Sequence, residues 1–105
     1  MENSNLTFKE FQQFIRTNYY KKDAERGSAG CFMWLMEEIG ELASALQHCS
    51  NPEKPASAEQ TANLQEEFAD VLGWLSTLAN MHGVDLEAAL RRKYLDREEI
   101  DRHKS

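Results

Sequence analysis

Two long segments of the chain repeat apolar residues at intervals of three or four, and each carries a pair of carboxylates at the same helical spacing. Glu38 and Glu41 form the first pair, and Glu67 and Asp70 form the second. Residues three apart on a helix are surface neighbours, about 5–6 Å apart at Cβ. Two such helices packed together would bring four carboxylates to one place, where their mutual repulsion favours a bound cation.

Capping and turn signals divide the chain into four predicted helices joined by short loops. Thr7 and Glu10 form a capping box at the start of the first helix, and Ser57 and Gln60 form another before the third. The glycine-containing segment at residues 26–30 is expected to break the chain between the first two helices. The predicted helices cover about residues 7–24, 31–48 and 57–82, with a fourth from about residue 86. No segment has the pattern of a strand, so the predicted fold class is all-α and similar to a four-helix bundle.

The two carboxylate-bearing helices each have a broad apolar face that we expect to form the core. In these helices each carboxylate pair borders the apolar face, and a tryptophan lies one turn away on the same stripe. The residues predicted to face the core are Phe32, Leu35, Met36, Ile39, Leu42, Ala43, Leu46, Leu64, Phe68, Val71, Leu72, Leu75, Leu78 and Ala79.

Length and charge limit the range of functions. A chain of 105 residues is expected to form one domain over residues 1–105, with flexible ends at 1–5 and 101–105. No apolar run is long enough for a membrane span and no signal-peptide core follows the polar N-terminus, so a cytoplasmic protein with no membrane partner is expected. Residues 28–82 contain eight acidic residues and one basic residue. Because the chain lacks a basic stripe, nucleic acid is not an expected partner.

The carboxylate pairs allow three interpretations. They could be solvated positions beside a core, as on many amphipathic helices. A carboxylate-bridged di-iron site would need Glu-x-x-His motifs, and the residues three before His48, His82 and His103 are not acidic. An all-oxygen ligand set instead favours a hard cation, Mg²⁺ or Mn²⁺, which commonly joins protein carboxylates to substrate phosphates. The chemistry this implies is hydrolysis of a phosphate anhydride.

The sequence also resembles the MazG-like nucleoside triphosphate pyrophosphohydrolases, an all-α family. The family pattern is Glu-x-x-Glu, a gap, and Glu-x-x-Asp; this chain has them at residues 38–41 and 67–70, separated by 25 residues. The likeness extends over about residues 7–94. The stretches that resemble family blocks are residues 34–43, 66–72, 78–80, 83–87 and 93–94.

The resemblance implies cleavage of a (d)NTP between the α and β phosphates, giving a nucleoside monophosphate and pyrophosphate. The residues it implies as Mg²⁺ ligands, with Mn²⁺ as the alternative ion, are Glu38, Glu41, Glu67 and Asp70. Glu37 and Glu38 are the expected catalytic residues. Glu37 would hold a second metal ion or orient the attacking water, and its alternative role is that of an ordinary surface acid.

The expected substrate contacts come from the same resemblance. Lys93 is the first choice for a phosphate contact, with Arg92 and Arg97 after it, and Asn80 matches a position near the substrate. Trp34 and Trp74 are candidates for stacking on the nucleobase, although core or interface packing is the commoner role of tryptophan.

Family members assemble as dimers or tetramers of helical bundles, so a homodimer or homotetramer is expected to complete the fold. Two other functions stay open within the enzymes: a dUTP or dCTP hydrolase, and a phosphoribosyl-ATP hydrolase. From a different class, the chain could be a nucleotide- or metal-sensing module without turnover, or a helical oligomerisation domain.

Overall fold

A computed structural model of the chain describes residues 5–96, and within that range the protein consists of helices without strands. The helices are α1 (Phe8–His48), α2 (Ala58–Met81) and α3 (Leu86–Leu90), and α3 continues into a π-helical turn (Arg91–Leu95). The predicted all-α class is confirmed. No helix in residues 5–96 is both long and apolar enough to cross a bilayer. The predictions for residues 1–4 and 101–105 lie outside the described range.

The predicted capping boxes are present at the starts of both long helices. The Thr7 hydroxyl accepts a hydrogen bond from the Glu10 amide at 3.0 Å, and the Glu10 carboxylate accepts one from the Thr7 amide at 3.1 Å. Ser57 and Gln60 make the same reciprocal pair, both at 3.0 Å. These bonds satisfy amides that have no partner inside the helix, which is why both helices begin at these residues.

A single residue, Gly27, divides α1 into two halves. Its backbone has φ 82° and ψ 163°, a conformation open to glycine and strained for other residues. The first half covers residues 8–26 and the second half residues 28–48. The break is therefore shorter than the predicted 26–30, because residues 28–30 are already helical.

The second half of α1 and α2 run antiparallel, and contacts at both ends hold them together. At one end the Ser28 hydroxyl lies 2.8 Å from Nε2 of His82. At the other end the Cys49 thiol donates to the Gln60 carbonyl at 3.6 Å. The break at Gly27 then returns the first half of α1 across α2, where Gln12 contacts Asn80 and Asp23 contacts Thr77.

Gln12, a buried residue of the first half of α1, joins that half to the corner between α2 and α3. Its side-chain amide donates to the Asn80 side chain at 3.0 Å and to the Val84 carbonyl at 2.6 Å. Its side-chain oxygen accepts from the Leu86 amide at 2.9 Å. One glutamine thus satisfies polar groups from three parts of the fold.

The core differs from the predicted one. Leu35 and Ala79 are buried as predicted, but Ala43 is exposed, and seven larger residues of the predicted apolar faces are 40–50% exposed. These seven, here called the apolar face, are Phe32, Met36, Ile39, Leu46, Phe68, Leu72 and Leu75. On the second half of α1 the buried residues Cys31, Leu35 and Ala45 centre about 80° around the helix from Ile39. The helices therefore meet at the edge of the apolar arc and not at its middle, so the prediction for these seven side chains is wrong within one chain.

Candidate metal centre and the adjoining cavity

Three carboxylates meet where the second half of α1 packs against α2. Glu38 comes from α1, and Glu67 and Asp70 come from successive turns of α2. One oxygen of each lies within 4.8 Å of the others, a spacing that suits a shared cation. Glu67 is buried, Glu38 is half-buried and Asp70 is exposed, so the cluster extends from the helix interface to solvent.

Glu67 is the member that most needs a partner. Its Oε2 atom is buried and, within the described residues, accepts no hydrogen bond. Burial raises the pKa of the Glu67 carboxyl, and the nearby charges of Glu41, Asp70 and Glu66 raise it further. An unpaired buried carboxylate oxygen is unfavourable unless a cation or proton compensates it. A divalent cation would do so, and the all-oxygen donor set fits Mg²⁺ or Mn²⁺.

The pKa of the Glu38 carboxyl is also raised. Burial, hydrogen bonds with Glu41 and Asp70, and the charges of those two carboxylates raise its pKa to about 7. Carboxylates this close do not all ionise together, so protons occupy the cluster near neutral pH when no metal ion compensates the charge. A bound cation would displace these protons and keep the carboxylates ionised.

The other two predicted acidic residues lie at the edge of the cluster. Glu41 is exposed, yet it is close enough to hydrogen-bond Glu38. Glu37 is exposed and lies about 100° around the helix from Glu38, outside the set of three carboxylates. The folding of α1 thus brings Glu41 to the cluster and leaves Glu37 beside it.

The two tryptophans pack against each other one turn from the carboxylates. The Trp34 and Trp74 ring centroids are 6.0 Å apart and the ring planes differ by 6°, an offset stack. A nucleobase cannot enter between rings at this separation. Trp34 is 46% exposed, so its outer surface is open to a base, and Trp74 lines the adjoining cavity.

A cavity of about 540 Å³ lies beside the cluster, between the first half of α1 and α2. Asp70 and Trp74 line it from α2, and Lys22, Asp23 and Arg26 line it from α1. These three α1 residues are not among the site residues predicted from the sequence. One signal was available: Asp23 continues the apolar stripe of the first helix by one further step of four residues, and a carboxylate in such a position needs partners.

The predicted substrate contacts are not joined to this site by any hydrogen bond or ion pair of residues 5–96. The Asn80 side chain accepts from and donates to Gln12, and it lies ten residues beyond Asp70, roughly 15 Å along the helix. Arg92 and Lys93 are exposed in the π-helical turn. Arg97 lies outside the described residues.

Comparison with known proteins agrees with the family that the sequence resembles. A model of the MazG nucleotide pyrophosphohydrolase domain matches residues 27–101. The chain belongs to this family. The MazG match begins at the break in α1 and contains both carboxylate pairs, but it leaves out Lys22, Asp23 and Arg26 on the cavity wall.

One curated relative is the uncharacterized protein YvdC of Bacillus subtilis (strain 168). It is 42% identical over 64 residues, which cover 55% of this chain and 60% of YvdC. The chain thus spans about 60% of the relative's length. The MazG membership of the chain rests on the domain match.

Proposed function

We propose that this chain is a Mg²⁺-dependent nucleotide pyrophosphohydrolase that converts a (d)NTP to a (d)NMP and pyrophosphate. The observation that carries the proposal is the meeting of Glu38, Glu67 and Asp70 around a buried carboxylate oxygen without a hydrogen-bond partner in residues 5–96. The MazG domain match supports the reaction class.

In this proposal the three clustered carboxylates and Glu41 hold Mg²⁺, with Mn²⁺ as a substitute. The ion, when bound, would offset the negative charge of the polyphosphate. Hydrolysis adds water across the α–β anhydride: one P–O bond forms, the bond to the bridging oxygen breaks, and one proton is released. Glu37, exposed beside the cluster, is the carboxylate proposed to orient the water. Trp34 is the proposed surface for base stacking.

The reaction can be tested by identifying its products. The protein would be incubated with a panel of standard and modified (d)NTPs containing Mg²⁺, Mn²⁺ or EDTA, and the mixture followed by phosphorus NMR. We expect (d)NMP and pyrophosphate in equal amounts, and only when a divalent metal is present. A nucleoside diphosphate with inorganic phosphate would contradict the proposed bond cleavage. Metal binding without turnover would favour the sensing module.

We also propose that a second copy of the chain covers the apolar face. On α1 the exposed residues of the apolar face centre about 100° around the helix from the buried Cys31, Leu35 and Ala45, and on α2 they centre about 100° in the same sense from the buried Glu67. Because the helices are antiparallel, both stripes fall on the same side of the pair. Two such faces brought together by a two-fold axis would form a four-helix bundle.

The homodimer can be tested at one position of the apolar face. Leu72→Glu would place two like charges at the interface and is expected to give a monomer by light scattering. Leu6→Glu, at an exposed leucine outside the face, is the matched control. A monomeric unmodified protein at micromolar concentration would contradict the proposal.

A further inference from the structure

Arg26 is the last helical residue before the break at Gly27, and its position is fixed from several sides. Its guanidinium donates to Oδ1 of Asp23 at 3.2 Å and lies over the Trp74 ring, 5.3 Å from the centroid. Asp23 is only 4% exposed, and its other oxygen accepts from the Thr77 hydroxyl at 2.9 Å. The arginine is thus connected to α2 through both a buried carboxylate and an aromatic ring.

Gly30 contributes to the same arrangement because it lacks a side chain. A Cβ at this position would lie 2.8 Å from Cγ of Arg26. The stem of Arg26 therefore folds back across the break through space that only glycine leaves open. Alanine is the better helix former, so the glycine at this helical position is explained by the path of the arginine and not by the helix.

This fixed arginine shares a cavity with a candidate metal ligand. Arg26 and Lys22 line the 540 Å³ cavity from one side, and Asp70 lines it from the other. The arginine side chain is 34% exposed, Asp23 contacts one of its nitrogens, and its guanidinium also hydrogen-bonds the Cys31 thiol. A guanidinium has five N–H donors, so donors remain for an anion that enters the cavity.

We propose that Arg26 is a pre-positioned phosphate-binding residue that contacts the polyphosphate of the bound nucleotide. This inference deepens the proposed function and rests on it. A planar guanidinium matches the oxygens of a phosphate group in pairs, and fixing it in advance reduces the entropy lost when the anion binds. Lys93, the phosphate contact predicted from the sequence, lies in the π-helical turn and does not line this cavity.

Two substitutions separate this role from a purely structural ion pair. Arg26→Lys keeps the positive charge beside Asp23 but removes the planar pair of donors. Gly30→Ala keeps every polar group and displaces the stem of Arg26. Arg16→Lys is the matched control, because Arg16 stacks 4.3 Å over Tyr20 in the same half of α1 but does not line the cavity.

The probe is inorganic pyrophosphate with Mg²⁺, titrated by calorimetry. Tryptophan emission provides a second readout, since the chain has two tryptophans and they stack on each other beside Arg26. We expect Arg26→Lys and Gly30→Ala to bind pyrophosphate about tenfold more weakly, and Arg16→Lys to bind as the unmodified protein does. Circular dichroism would establish whether each variant is folded. If Arg26→Lys is unfolded, the pyrophosphate affinity of Gly30→Ala alone decides whether Arg26 binds the anion.

Equal pyrophosphate affinity in the unmodified protein and in Gly30→Ala would overturn the inference. The inference would also be overturned if the substitutions weakened the metal-dependent binding of a nucleoside without phosphates as much as the binding of pyrophosphate. Arg26 would then contact the base or sugar. The two proposals fail separately. Arg26-dependent pyrophosphate binding without turnover of any nucleotide would refute the hydrolase and leave the anion site. Turnover of a nucleotide, with pyrophosphate affinity and KM unchanged in Arg26→Lys and Gly30→Ala, would refute the anion site and leave the hydrolase.

Discussion

The protonated carboxylate cluster predicts that the metal-free protein loses stability as the pH rises. Glu38 has a pKa of about 7 in the folded chain and 4.5 as its ordinary value. Between these two pH values the folded chain binds more protons than the unfolded chain does. The free energy of unfolding then decreases with rising pH. The stabilisation is fully present below pH 4.5 and is lost as the pH rises through about 7.

The size of this effect follows from the two pKa values. At about 1.4 kcal/mol per pH unit, the interval corresponds to an upper bound of about 3 kcal/mol. Glu38 is half-buried, so water screens part of the interaction and we expect on the order of 1–2 kcal/mol. The titration belongs to the coupled cluster, including Glu67, whose pKa is shifted in the same direction.

Urea denaturation followed by circular dichroism would measure the effect at a fixed protein concentration. In EDTA the unfolding free energy of the unmodified chain should fall between pH 5 and pH 8, and Glu38→Gln should remove much of that slope. With saturating Mg²⁺ the unfolding free energy of the unmodified chain should instead rise with pH, because the ion binds the ionised carboxylates. A pH profile in EDTA that is flat, or that has the same slope in Glu38→Gln, would show that protonation of Glu38 does not stabilise the folded chain.

Two further predictions concern the frame that holds the site. Gly27→Ala should lower the unfolding free energy by about 1–3 kcal/mol, because its φ of 82° is strained for alanine. Gly40→Ala, in helix and with open space around its Cβ, is the control and should leave the urea midpoint unchanged or slightly raised. Thr77→Val should lower the unfolding free energy by about 1–3 kcal/mol, because it removes the hydroxyl that donates to buried Asp23. If Thr77→Val and Thr17→Val, a change at an exposed position, have equal midpoints, the Asp23 bond contributes nothing to stability.

Local chemistry made much of the fold readable from the sequence. The capping boxes at Thr7 and Ser57 mark where the helices begin, because the amides that they satisfy are fixed by helix geometry. The same geometry placed Glu38, Glu67 and Asp70 on facing sides of their helices. The residues of each capping box, and Glu67 and Asp70 of the cluster, are three apart in the sequence.

The rotation of the helices was not readable in the same way. Periodicity locates an apolar arc but does not say which part of it one chain buries, and here α1 and α2 meet at its acidic edge. The wall of the cavity depends on contacts across the fold: Asp23 meets Thr77, 54 residues later, only because Gly27 turns the chain. No local pattern encodes such a contact.

The catalytic role of the carboxylate cluster can be tested by measuring pyrophosphate release as a function of Mg²⁺ concentration, with Glu67→Gln and Glu66→Gln compared against the unmodified chain. We expect metal-dependent release that Glu67→Gln reduces at least about 100-fold, as loss of a metal ligand should. Glu66→Gln, which changes the adjacent exposed carboxylate, should keep most of the activity. If Glu67→Gln released pyrophosphate at the rate and Mg²⁺ dependence of the unmodified chain, the carboxylate cluster would not be the catalytic metal centre.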